Sequence, residues 1–154
     1  MSRSDPSVHR ATLNEIEAAF TLVNEYYEEV GVLLREDRET FEQHYFAEGS
    51  GIWLAVVDDL PAGCVALRKL ETFANCSEMK RMYVRSSNRG KRIATSLLTA
   101  LEEYAVQQNY AWIYLDTTDS MVAAARFYRR NGYQSCERYN DNPQATLFMR
   151  KRIT

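Results

Sequence analysis

Between Glu78 and Leu98 the chain passes from a β-rich run, Glu78-Met79-Lys80-Arg81-Met82-Tyr83-Val84, through a basic turn into residues whose apolar members, Ile93, Leu97, Leu98, Leu101, Tyr104 and Ala105, recur at helical spacing. This pattern predicts a strand, a turn and an amphipathic helix in direct succession. The turn carries Arg85, Arg89, Lys91 and Arg92 within eight residues and without an intervening acid, although the formal net charge of the chain is −2. Cations at a helix start oppose the macrodipole, by about 0.3–1 kcal/mol each at exposed sites, so helix stability does not account for them. A bound anion does, because the first-turn N–H groups of a helix lack intrahelical partners and carry partial positive charge. The segment is a candidate pyrophosphate-binding turn; the alternative is a solvated basic loop.

The 154 residues fit a single domain over residues 1–154, with 1–7 as a flexible terminus. A hydrophobic content of 45% and a charged content of 26% match an ordinary soluble protein. A mildly acidic chain argues against generic nucleic-acid binding, which needs basic surface well beyond one turn. No run reaches the roughly 18 apolar residues of a membrane span, and Met1 to Ser7 has no signal-like apolar core, so a cytoplasmic location is expected. Cys64, Cys76 and Cys136 are odd in number and widely spaced, which suits reduced thiols. With only His9 and His44 besides them, no metal site is expected.

The first strand is expected at Val8–Ala11. Thr12 and Glu15 form a capping box ahead of a helix whose stripe of Ile16, Phe20, Val23, Tyr27 and Val30 ends at Gly31. A second short helix is expected from Arg38 to Phe46. Ile52–Val57 and Gly63–Arg68 read as a hairpin with a five-residue loop, Asp58 to Ala62. Cys76–Val84, Tyr110–Leu115, and the pair Tyr133–Cys136 with Thr146–Met149 read as further strands, and Ser120–Arg130 as a helix stopped by Asn131-Gly132. The resulting order, β-α-α-β-β-β-α-β-α-β-β, is an α/β sandwich with a mostly antiparallel sheet.

That order, with a phosphate turn between the central strand and its helix, resembles the GNAT superfamily of N-acetyltransferases from about Val8 to Ile153. The family's acetyl-CoA signature is glutamine or arginine, two free positions, glycine, one free position, then glycine or alanine. It falls here on Arg89-Gly90-Lys91-Arg92-Ile93-Ala94, where Arg89 and Ala94 match and Arg92 stands in place of the central glycine. Ala124, Tyr128, Gly132 and Tyr133 are similar to the family's second motif, although Met121 occupies a position where the family often has asparagine. Tyr139-Asn140-Asp141-Asn142-Pro143 with Phe148-Met149 resembles a subgroup of bacterial-type members.

The resemblance implies a mixed, mostly antiparallel sheet of about six to seven strands flanked by about four helices. It implies transfer of an acetyl group from acetyl-CoA, the co-substrate, to a primary amine by direct attack in a ternary complex. Arg89, Gly90, Lys91, Arg92, Ile93, Ala94 and Thr95 would hold the diphosphate, and main-chain groups of Met82, Tyr83 and Val84 the pantetheine arm. Tyr128 matches the tyrosine that protonates the departing thiolate, and Glu78 the strand position where histone-type members carry a base. Many members are dimers, so a homodimer is admitted.

An amine of pKa about 10.4 must give up a proton at a cost of roughly 4.6 kcal/mol at pH 7, which makes a base or water relay valuable. Asp116 is the alternate base; it and Glu78 also suit plain roles as a turn cap and a strand-face ion pair. Tyr128, Tyr26, Tyr27, Tyr45 and His44 also fit simple packing, and Asn140-Asp141-Asn142 a plain turn, though Asp141 could hold an amine at the acceptor mouth. A small-molecule amine is the expected acceptor. A peptide or protein amine, and a noncatalytic CoA-binding module, are the alternatives. A nucleotide phosphotransferase is disfavoured because Ser86-Ser87-Asn88-Arg89-Gly90-Lys91 lacks the leading glycine and trailing hydroxyl of a P-loop.

Overall fold

The computed structural model describes residues 6–154. Of the flexible terminus expected over residues 1–7, residues 1–5 lie outside the described residues, and Ser7 already opens a strand. The elements are β1 (Ser7–Arg10), α1 (Ile16–Val30), α2 (Arg38–Tyr45), β2 (Gly51–Val57), β3 (Leu60–Lys69), β4 (Cys76–Val84), α3 (Ile93–Gln107), β5 (Trp112–Thr117), α4 (Val122–Arg130), β6 (Gln134–Ser135) and β7 (Leu147–Arg152). This is the expected order. The strands form one sheet in the order β1-β2-β3-β4-β5-β7-β6, antiparallel except between β4 and β5.

Local chemistry sets most boundaries. The Glu15 carboxylate accepts the Thr12 N–H at 2.9 Å ahead of α1, and Gly31, at φ 78°, stops that helix in the left-handed conformation. Asp37 caps α2 by accepting the Thr40 N–H at 2.8 Å. The β2–β3 connection differs from the five-residue loop expected. Asp58 and Asp59 both take positive φ, 51° and 63°, and make a tight two-residue turn, which draws Leu60, Pro61 and Ala62 into β3. Aspartate tolerates this conformation better than most residues because its short side chain bonds locally.

Alternation along β2 and β3 buries both faces of the sheet. Trp53, Ala55, Val65 and Leu67 face a core built with Ile93, Leu97, Leu98 and Leu101 of α3, whereas Ile52, Leu54, Cys64 and Ala66 face Leu22, Val23 and Tyr27 of α1 and Phe41 of α2. Two helical layers therefore clamp the strands that carry the site.

Two irregularities in β4 open that site. β4 pairs with β5 only at Cys76↔Trp112, Ser77↔Ile113 and Glu78↔Tyr114, so the strands are unpaired with each other beyond Glu78. On the other edge, Ala66 pairs with Lys80 but Cys64 pairs with Tyr83, so β4 carries one extra residue between them. Arg81 occupies this bulge at φ 60°. Left-handed backbone at a non-glycine residue costs about 1–3 kcal/mol and persists only when its surroundings hold it. Here the Arg81 guanidinium is held by Glu36 at 3.0 Å and lies over the Tyr27 ring at 5.0 Å.

Candidate active site

The divergence of β4 from β5 leaves a cleft of about 1230 Å³ that runs between the two helical layers. One end is lined by Met82, Val84, Arg89, Gly90, Arg92, Ile93, Ala94 and Thr95, with Met121, Ala124 and Tyr128 opposite. Of the residues expected around the cofactor, Tyr83 and Lys91 do not line the cleft. The Tyr83 ring packs edge-on against Tyr26 at 6.1 Å, on the α1 side of the sheet.

The basic turn is only partly free. Arg85 grips Glu25 through Nε at 2.9 Å and Nη2 at 2.5 Å and donates to the carbonyl of Pro61 at 2.9 Å. Arg89 binds Glu29 at 2.5 Å and the Val84 carbonyl at 2.9 Å. Glu25 and Glu29 stand one turn apart on α1, so one helix face pins two arginines and fixes the turn against the sheet. Among the described residues, Lys91 and Arg92 have no ion-pair partner. Arg92 itself is the N-cap of α3 at φ 61°, and its carbonyl accepts the Ser96 N–H at 3.1 Å. It adopts a left-handed conformation, which glycine, the motif's usual residue here, takes without steric cost. The turn thus presents the first-turn N–H groups of α3 and the unpaired Arg92 to the cleft, a donor set suited to a diphosphate.

Tyr128 comes from α4, with its ring against Phe127 at 5.5 Å and Tyr133 at 5.9 Å. It is 8% exposed and lines the cleft, and among the described residues no hydrogen bond is made to its hydroxyl, which is open to the cleft. Burial pushes its pKa well above the ordinary phenol value, so the hydroxyl is protonated at neutral pH and gives up its proton only to a group that becomes strongly basic beside it.

The opposite end holds the charged residues. Asp116, at the end of β5, lines the cleft and accepts the side-chain amides of Asn140 at 2.6 Å and Asn142 at 3.3 Å. Glu78 does not line it. At 1% exposure it accepts hydrogen bonds from Tyr139 at 2.7 Å, Asn140 at 3.1 Å and Arg68 at 3.1 Å. It borders a second cavity of about 960 Å³. Burial pushes the Glu78 carboxyl up, but the charges of Lys80 and Arg68 and the Tyr139 hydroxyl outweigh it and hold the pKa below the usual range.

Sequence reasoning missed the centre of this end, Glu36. On the α1–α2 loop it gathers Arg81 at 3.0 Å, the hydroxyls of Tyr45 at 3.0 Å and Tyr27 at 3.4 Å, and the ring of His44. Tyr27 and Tyr45 are core residues, as packing suggests, whereas His44 and Tyr26 line the cleft. His44 also lies 3.3 Å from Arg68. Arg81 Nε is buried without a hydrogen-bond partner among the described residues. The only local signal for Glu36 is its place just ahead of the Asp37 cap.

A diphosphate-suited helix start, a tyrosine hydroxyl facing the cleft and a charged far end describe a site for group transfer from a large anionic donor. Comparison with known proteins agrees. Residues 16–133 match the model of the acetyltransferase (GNAT) family. The chain is 32% identical over 128 residues to an uncharacterised N-acetyltransferase of Schizosaccharomyces pombe, covering 79% of this chain and 78% of that one. It is 40% identical over 102 residues to the N-acetylaspartate synthetase of Homo sapiens, covering 66% of this chain and 33% of the synthetase, so it spans about a third of that protein's length. A GNAT-family acetyltransferase structure from Staphylococcus aureus superposes with a TM-score of 0.83 at 22% identity, covering 97% of this chain and 99% of that one. The chain belongs to the GNAT acetyltransferase family and is an acyl-CoA-dependent N-acyltransferase.

Proposed function

We propose that the chain transfers the acetyl group of acetyl-CoA to the primary amine of a small molecule, by direct attack within a ternary complex. One observation carries this reading: the Tyr128 hydroxyl lies unpartnered in the cleft that the N-terminus of α3 also lines. The α3 N–H groups with Arg92 and Arg89 hold the diphosphate, and the main chain of β4 near Met82 and Val84 holds the pantetheine arm. The thioester supplies an activated acyl carbon and a thiol leaving group. Tyr128 donates its proton to the departing sulfur, whose conjugate acid has a pKa of about 8.5 in an ordinary thiol.

Asp116, rather than Glu78, receives the amine proton. Asp116 opens onto the cleft, whereas Glu78 stands behind Asn140, is saturated with donors, and has the lowered pKa of a weak base. Glu78 then orients Asn140 and Arg68.

The acceptor is an amino acid whose carboxylate is met by Arg81, Arg68 and Lys80. Among the described residues the Arg81 guanidinium donates one hydrogen bond, to Glu36, and Lys80 has only a 3.8 Å approach to Glu78, so both have donors to spare at the cleft wall. Likeness to N-acetylaspartate synthetases supports this choice. A panel of amino acids, polyamines and peptides, assayed by release of free CoA thiol, tests it. Turnover confined to carboxylate-bearing amines is expected, and acetylation of protein lysines alone would overturn it.

A further inference from the structure

The acceptor end of the cleft is walled by two loops far apart in sequence, residues 31–37 after α1 and residues 136–146 between β6 and β7. Gln144 joins them with both atoms of its carboxamide. Its Oε1 accepts the Leu33 N–H at 2.8 Å, and its Nε2 donates to the Gly31 carbonyl at 3.1 Å. The side chain therefore occupies an N–H and a C=O of the opposite rim that a peptide backbone entering here would otherwise bind.

The loop that carries Gln144 is fastened from within. The Gln144 N–H donates to Asn142 Oδ1 and the Asn142 N–H to Asn140 Oδ1, each at 3.1 Å. Arg138 donates to the carbonyls of Asn140 at 3.2 Å, Asn142 at 3.1 Å and Ala145 at 3.1 Å. Asp116 holds both asparagine amides. A loop fixed at so many points gains little by swinging away, so the bridge stays in place while ligands exchange.

We propose that Gln144 sets acceptor specificity by bridging the two rims of the cleft, excluding polypeptide acceptors while leaving room beneath for a free amino acid. This rests on the small-molecule reading above. Gln144 touches no reacting atom and acts through the rim, which makes it a positioning residue.

The test compares wild type with Gln144→Ala and Gln144→Glu, measuring kcat/KM for a free amino acid and for an unblocked hexapeptide, together with the KM for acetyl-CoA. Gln144→Ala should raise the peptide-to-amino-acid ratio at least tenfold with the acetyl-CoA KM unchanged. Gln144→Glu, which keeps the accepting oxygen but loses the donor to Gly31, should fall between. Amide hydrogen exchange at Leu33 should quicken in Gln144→Ala. A wild type that prefers free amino acids, with variants that keep its ratio, would overturn the specificity role and leave the small-molecule reading standing. A wild type that already prefers the hexapeptide would overturn both.

Discussion

Asn140 Nδ2 lies 2.6 Å from Asp116 Oδ2, and the same nitrogen reaches Glu78 Oε2 at 3.1 Å, so one amide stands between the two carboxylates that could serve as base. The amide divides their roles. It leaves Asp116 open to the cleft and shuts Glu78 away from it. Asp116→Asn should lower kcat/KM by about a hundredfold or more and alter the fall in rate on the acid side of the pH profile, to which deprotonation of the amine itself also contributes. Glu78→Gln should keep that fall while raising the acceptor KM through loss of the hold on Arg68 and Asn140. Steady-state rates across pH decide it: an acid limb that is altered by Glu78→Gln and unchanged by Asp116→Asn would reverse the assignment.

Tyr128 is set in aromatic packing that Tyr128→Phe preserves, so the variant removes a proton donor and little else. The expected result is a fall in kcat of about 10²–10⁴-fold with CoA affinity unchanged. Pre-steady-state rates and CoA titration separate the two quantities. Unaltered turnover would take the phenol out of the mechanism.

Arg92 holds a left-handed conformation, φ 61°, at the head of α3, and its side chain lines the cleft. Arg92→Gly removes a backbone strain of about 1–2 kcal/mol. It also gives back about 0.4–1 kcal/mol through the looser unfolded chain. A net gain of about 1 kcal/mol would raise Tm by about 2–4 °C. The same change removes a cation facing the diphosphate, so CoA binding should weaken while the free protein becomes more stable. Calorimetry on the free protein and CoA titration check the two effects, and a Tm at or below that of wild type would show that Arg92 has no strain to relieve.

The strand, turn and helix from β4 to α3 were legible because every signal there is local: β-rich residues, clustered cations, then helical periodicity. What the turn does with its cations was not. Glu25 and Glu29 lie 60 residues before Arg85 and Arg89, and only the packing of α1 beside β4 brings them together. The Arg81 bulge is equally hidden, since arginine has no preference for positive φ and its partner Glu36 lies 45 residues away. The tight Asp58-Asp59 turn is hidden because the usual hairpin signal pairs an asparagine or aspartate with glycine. Motif spacing singles out Tyr128, which lines the cleft. Long-range pairing alone reveals Glu36 and Gln144.

Glu36 is the anion that keeps Arg81 in place, and both side chains are close to nine-tenths buried. Glu36→Ala would strand the guanidinium in a site that already leaves its Nε unpaired, and breaking a buried pair from one side costs about 3–5 kcal/mol. Burial pushes the Glu36 carboxyl up, but Arg81, His44 and Tyr45 outweigh that and hold its pKa below the ordinary value. A depressed folded pKa means that the unfolded chain takes up the proton first. The stabilisation is therefore full above the ordinary carboxylate range, near pH 4.3, and is lost as pH falls through the lower folded value. Urea unfolding at pH 7 and at pH 3 should show wild type losing stability toward acid, with Glu36→Ala destabilised at pH 7 and much less separated from wild type at pH 3. A gap between the two proteins that did not narrow on acidification would show that the stability comes from packing around Glu36 and not from its charge.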